Sequence, residues 1–143
     1  MKSKIPDQKS IKKVVLLIND TTYAFNLRSE IIQKLIGEGY EVVVVGQLLE
    51  HQEKLRALGA KVIGVETERH GTNPFSDFML MRTYRQILRE ERPSVVLTYN
   101  IKPNVYGGIA CRSLKIPYIS NITGLGTSLE NPGRLRKLII RLY

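Results

Sequence analysis

Apolar residues in this chain come in short unbroken runs, separated by longer stretches where they recur every three or four positions. The first run, Val14–Ile18, is rich in β-branched residues and predicts a strand buried on both faces. Phe25–Glu38 follows with Leu27, Ile31, Ile32, Leu35 and Ile36 on helical spacing, and Gly37 and Gly39 stop it. Val42–Val45 predicts a second strand, Leu48–Leu58 a short charged helix closed by Gly59, and Lys61–Val65 a third strand. Glu66–Asn73 has no periodicity and reads as a loop. Pro74 suits the first turn of a helix, where its missing N–H costs nothing, and Pro93 ends that helix after Glu91. Val95–Leu97 is a fourth strand, Val105–Leu114 a helix and Ile116–Ile122 a fifth strand. Asn131-Pro132-Gly133 reads as a turn and Arg134–Tyr143 as a last helix.

Strand and helix alternate throughout, and parallel neighbours need crossover helices. The expected fold is therefore α/β: a doubly wound parallel sheet in a three-layer α/β/α arrangement, Rossmann-like, with strand order 3-2-1-4-5. Residues 1–11 read as a polar tail and 12–143 as one domain. The loops after strands one and four then open into one crevice at the switch point, where open α/β sheets bind ligands.

Composition narrows the class. At 143 residues with 43% hydrophobic content the chain can bury a real core. No apolar run is long enough to span a bilayer, and Met1–Lys13 lacks the apolar stretch of a secretory signal. The single cysteine, Cys111, excludes an internal disulfide and falls mid-helix, as a small core residue would. These features predict a cytoplasmic protein. The charge is less ordinary: 22 basic against 13 acidic residues give +9. Lys2, Lys4, Lys9, Lys12 and Lys13 crowd the start; Arg82, Arg85, Arg89 and Arg92 recur at helical spacing; Arg134, Arg136, Lys137 and Arg141 fill the last segment. Each cluster alone reads as a solvated face, whereas three together favour an anionic partner such as a membrane surface.

Candidate chemistry begins with what is absent. There is no GxGxxG after strand one, no Walker loop, no His/Cys cluster at metal spacing, and only His51 and His70 for a nucleophilic triad. Neither a metal nor a cofactor is expected. What remains at the strand ends is a set of neutral hydrogen-bonding groups with a few cations. The first loop offers Asn19, Asp20, Thr21 and Thr22, with Asn26 and Arg28 in the turn that follows. The stretch Thr98–Gly108 offers Tyr99, Asn100, Lys102 and Asn104, and the turn after strand five offers Asn121, Thr123 and the amides around Gly124 and Gly126. Such groups suit sugar hydroxyls and phosphate oxygens, and the two later turns are expected side by side. Lys102 reads equally as a phosphate contact at a helix start and as a solvated loop lysine. Arg28 reads as an exposed helix arginine or as a second contact. Gly124 and Gly126 fit a tight turn with or without a ligand. Asp20 is the one candidate base, although a lone Asp after a strand is more often a helix cap. Tyr99 and Tyr106 read as packing residues whose hydroxyls reach the rim.

Several stretches together resemble the N-terminal half of family-four glycosyltransferases, the GT-B enzymes of bacterial capsule, exopolysaccharide and O-antigen synthesis. They are Asn26-Leu27-Arg28, Gly39-Tyr40-Glu41-Val42, Leu58-Gly59-Ala60, Arg69 with Asn73-Pro74 and Asp77, the block Leu97–Gly107, and Asn121-Ile122-Thr123-Gly124-Leu125-Gly126. The resemblance covers Lys12 to Tyr143. It implies a retaining, metal-independent transfer of a sugar from a nucleotide-sugar donor to a lipid-linked glycan at the cytoplasmic membrane face. The N-terminal domain would hold the acceptor, with Asn26, Arg28, Arg69, Asn73, Tyr99, Asn100, Lys102, Asn104, Thr123, Gly124 and Gly126 lining the cleft. The donor would bind a C-terminal domain supplied in cis or in trans, without which this chain is expected to be inactive. The rival reading is a stand-alone Rossmann-like module for an anionic ligand, a nucleotide or nucleic acid. The absence of Trp and an aromatic content of 7% argue against nucleic acid.

Overall fold

The computed structural model describes residues 12–67, 73–122 and 141. Its elements are β1 (Lys13–Asp20), α1 (Thr21–Gly37), β2 (Glu41–Gln47), α2 (Gln52–Ala57), β3 (Lys61–Gly64), α3 (Pro74–Glu91), β4 (Val95–Tyr99), a π-helical turn (Pro103–Gly107), α4 (Gly108–Leu114) and β5 (Tyr118–Asn121). The sheet order is β3-β2-β1-β4-β5, parallel at every pairing, as the alternation predicts. The tail, the turn beginning at Thr123 and, apart from residue 141, the last helix lie outside the described residues, as does Arg69.

Because strand side chains alternate, β1 feeds two cores at once. Val15 and Leu17, with Val43, Val45 and Val96, pack under Leu80, Tyr84, Ile87 and Leu88 of α3 and Ala110 and Cys111 of α4. Val14, Leu16 and Ile18, with Val42, Val44 and Leu97, pack under Ala24 and Ile32 of α1 and Leu55 of α2. So α1 and α2 cover one face, and α3 and α4 the other. Cys111 is fully buried, in keeping with a core role.

The element boundaries shift for local reasons. β1 runs on to Asp20 and α1 starts at Thr21 rather than Phe25, because the Asp20 carboxylate caps the helix, accepting from the Tyr23 N–H at 2.8 Å. Asn26 and Arg28 therefore fall in the second turn. The pairing of β1 with β2 shifts register between Leu17 and Asp20, and Gly46 admits it: a Cβ there would stand 2.7 Å from the Ile18 carbonyl. Leu48–His51 forms a loop instead of the first turn of α2, since Thr21 and Thr22 hydroxyls accept from the Leu49 and Glu50 N–H groups at 3.0 and 3.1 Å. After β4, Asn100 alone bridges to helix, at φ 76°, and the chain is helical from Ile101. Lys102 and Asn104 thus lie on a helix, not on a loop. The helix passes through a π-turn where Gly107 sits so close to β1 that a Cβ would lie 2.6 Å from Leu17 Cδ1. β3 and β5 are each shorter than expected.

Candidate functional site

Parallel strands deliver α1, the segment after β4 and α3 to the same edge of the sheet, and β1 and β4 are neighbours at the point where the winding reverses. The two loops are tied directly. The Asn19 N–H donates to Asn100 Oδ1 at 3.2 Å, and asparagine tolerates the left-handed backbone that this geometry requires. Asn100 therefore fixes the floor of the crevice.

On the α1 side, the Arg28 guanidinium stacks over the Tyr99 ring, with Cζ 4.6 Å from the ring centroid. Tyr99 is 4% exposed; burial raises its phenol pKa, and the Arg28 charge pulls in the other direction. Arg28 has no acidic partner among the described residues, and its buried Nε lacks a hydrogen-bond acceptor. A guanidinium held flat by an aromatic ring, with no carboxylate on it, is prepared for an anion. A separate cleft of about 670 Å³, whose lining does not include Arg28, is formed by Asp20, Thr22, Tyr23, Asn26, Leu27, Leu49 and Glu50. Asn26 is exposed on its wall, whereas Asp20 is 1% exposed and capping α1.

On the α3 side the arrangement is different. Lys102 Nζ meets Asp77 Oδ1 at 2.9 Å, and the Tyr106 hydroxyl donates to Asp77 Oδ2 at 3.0 Å. The Lys102 and Asp77 side chains are only 15% and 13% exposed. Burial, the bond to Asp77 and the carboxylate's charge push the Tyr106 phenol up to about 12, so it stays a donor. Lys102 and Arg28 thus lie on opposite faces of the sheet edge, and of the two only Lys102 has a counter-charge among the described residues. The expectation that both cations meet one ligand becomes an asymmetric site.

Two further predicted contacts hold the frame. Asn104 is 2% exposed; it accepts from the Thr98 hydroxyl at 2.6 Å and donates to the Asn121 carbonyl at 3.1 Å, joining β4 to β5. Asn73 caps α3, accepting from the Phe75 N–H at 3.0 Å. Arg69, Thr123, Gly124 and Gly126 lie outside the described residues. Asp77 was missed as a site residue, although its spacing from Tyr84 and Leu88 places it on the core-facing side of α3, where a lone carboxylate demands a partner.

The model of the family described as glycosyl transferase 4-like matches residues 13–143. The chain belongs to this family. Among curated proteins it is similar to N,N'-diacetylbacillosaminyl-diphospho-undecaprenol alpha-1,3-N-acetylgalactosaminyltransferase of Campylobacter jejuni subsp. jejuni serotype O:2. The two are 30% identical over 116 residues, 80% of this chain and 31% of that enzyme. The chain thus spans about a third of the length of the relative it matches. Solved structures of the same fold include MurG of Acinetobacter baumannii, at 15% identity and TM-score 0.63, covering 92% of this chain and 39% of that one. The UDP-GlcNAc 2-epimerase of Methanocaldococcus jannaschii superposes with TM-score 0.65 at 17% identity, covering 91% and 37%. A fold shared at such low identity does not by itself fix an activity, so the family match and not the fold is what bears on function.

Proposed function

We propose that the chain is the acceptor-binding half of a glycosyltransferase that moves a sugar from a nucleotide-sugar onto a lipid-linked glycan in surface polysaccharide synthesis. Transfer proceeds with retention, as the family resemblance implies, at the inner face of the cell membrane, and the donor binds a second domain in cis or in trans. Alone, this half is inactive. The observation that carries the reading is Arg28: a cation oriented on Tyr99 at the switch point, without a counter-charge among the described residues. The Campylobacter relative's name gives its acceptor as a diphospho-undecaprenol sugar. A diphosphate is the anion a stacked guanidinium grips best, through paired N–H donors. On this reading Asn100 and the amides at the start of α1 meet the sugar and the remaining phosphate oxygens.

Titration calorimetry with a short-chain prenyl diphosphate sugar tests this reading. The chain binds it saturably, and Arg28→Ala weakens binding by about 10- to 100-fold, the worth of a charged hydrogen bond of about 1.5–3 kcal/mol. Arg28→Lys recovers little, because an ammonium neither forks nor stacks in the same way. Binding unchanged in Arg28→Ala, or tighter binding of a nucleotide-sugar than of the prenyl diphosphate, would overturn the assignment.

A further inference from the structure

α1 presents two flanks at the strand-end edge, and the Arg28 site uses one of them. Arg28 turns toward Tyr99 of β4. Tyr23, Asn26 and Leu27, at i, i+3 and i+4, share another flank, and Arg28 stands about 140° round the helix axis from Tyr23. Leu49 and Glu50, in the segment after β2, face that second flank and complete the cleft of about 670 Å³. The two walls are pinned together, because the Thr21 and Thr22 hydroxyls accept from the Leu49 and Glu50 N–H groups. Tyr23 is 37% exposed, Leu27 55% and Leu49 45%, so three apolar surfaces border one opening. Asn26 is exposed on the wall, and the Glu50 side chain is 74% exposed with His51 Nε2 3.9 Å from its carboxylate. Neither the Asn26 amide nor the Glu50 carboxylate is hydrogen-bonded to another side chain or backbone group among the described residues. None of the residues lining the cleft is basic.

We propose that this cleft is a sugar subsite: it takes a neutral pyranose of the acceptor glycan, one unit or more beyond the sugar that carries the diphosphate, and so sets the length of acceptor that the chain recognises. The inference rests on the acceptor reading above and adds a specificity pocket to it. The lining selects the ligand class. A phosphate or nucleotide would meet the Glu50 carboxylate with no cation to offset the repulsion. A plain hydrocarbon would cover the Asn26 amide and the Glu50 carboxylate and give them no partner. A pyranose satisfies both halves of the lining. Its C–H face packs on the Tyr23 ring and on Leu27 and Leu49, while its hydroxyls donate to Glu50 and accept from Asn26. Hydroxyls shared with a carboxylate form the stronger, charge-assisted kind of hydrogen bond. An apolar lining with a few convergent polar groups is the usual make-up of a small-molecule site, and the volume falls in the usual range of about 300–1,000 Å³. α1, about 10 Å across with its side chains, stands between the cleft and Arg28. A single sugar on the diphosphate does not cross it, whereas a longer glycan passing over Thr21 and Thr22 reaches the cleft with a later unit.

Amide chemical-shift mapping with three neutral, phosphate-free disaccharides (N,N'-diacetylchitobiose, lactose and maltose) tests the subsite by itself. At least one of them gives saturable shifts at Asn26, Leu27, Leu49 and Glu50, and Arg28→Ala leaves those shifts in place. Tyr23→Ala and Glu50→Gln each weaken that binding by about tenfold, and Tyr23→Phe, which keeps the ring, does not. Glu50→Gln is isosteric and exposed, so it keeps the test decisive should Tyr23→Ala lower the melting temperature. A short-chain prenyl diphosphate carrying two sugars displaces the disaccharide, and one carrying a single sugar does not. The proposal is overturned if none of the three disaccharides shifts the cleft, if the shifts disappear in Arg28→Ala, or if Glu50→Gln binds as the wild type does. It is also overturned if the two-sugar prenyl diphosphate fails to displace the disaccharide, or if the single-sugar one displaces it equally. The disaccharides contain no phosphate, so their failure to bind is distinct from failure of the Arg28 assignment, which prenyl diphosphate binding alone decides.

Discussion

Removing the charge from Lys102 tests how the α3 edge is held. In the native protein Lys102 Nζ lies 2.9 Å from Asp77 Oδ1, both side chains are largely shielded, and Tyr106 takes the second carboxylate oxygen. Lys102→Met keeps the length of the side chain and leaves Asp77 with a single neutral donor. Breaking a buried pair by removing one partner costs about 3–5 kcal/mol. The 15% exposure remaining on Lys102 places this case at the lower end, about 3 kcal/mol. Asp77→Asn retains an oxygen for Lys102 and loses only the charge, a cost of about 1–2 kcal/mol. The double variant has no stranded charge, so its cost falls below the sum of the two by at least about 1 kcal/mol. Urea unfolding followed by far-ultraviolet circular dichroism gives all three values, provided the slope with denaturant is constant. For a domain of this size the Lys102→Met loss also lowers Tm by roughly 10 °C. Additive costs, or a Lys102→Met loss below about 0.5 kcal/mol, would show that the pair is a surface contact of little weight. Lys102 would then be available to a ligand after all.

Three further outcomes follow from the packing. Cys111 is fully buried and its thiol is pushed up to about 12, mainly by burial, so a thiol reagent at neutral pH labels it only as fast as the protein unfolds; prompt stoichiometric labelling of the native chain would contradict the core placement. Tyr106 has a folded pKa raised from 10.0 to about 12, so its contribution to stability is complete below pH 10 and falls away as the pH climbs to about 12. The stability gap between wild type and Tyr106→Phe should narrow over that window, and a gap that widens would reverse the sign. Gly107→Ala brings a methyl 2.6 Å from Leu17 Cδ1 in a filled core, an overpacking cost of about 1–3 kcal/mol that outweighs the ~1 kcal/mol helix preference of alanine; a variant more stable than wild type would refute the close approach.

How far the sequence reaches depends on which residues speak for themselves. The unbroken β-branched runs gave the strands, and the crossover rule turned their alternation into the observed sheet order. Asp20 was legible as a cap because its place after a strand and before a helical period admits few other roles. Asn104 was not: a buried amide joining β4 to β5 looks, in one dimension, like any polar residue at a strand end. Lys102 and Arg28 were indistinguishable as cations in polar turns. They separate only when Asp77, twenty-five residues before Lys102, arrives on one of them and the face of Tyr99 on the other. The π-turn had no signal in spacing, since it follows from the fit of Gly107 against Leu17.

The proposed anionic acceptor sits between the ends of β1 and β4, on the Arg28 side. Amide chemical-shift mapping of the chain titrated with geranyl diphosphate addresses it most directly. Saturable shifts are expected at Asn19, Asp20 to Tyr23 and Asn100, abolished by Arg28→Ala. Shifts confined to Arg82–Arg89 of α3, or shifts at the crevice that survive Arg28→Ala, would contradict it.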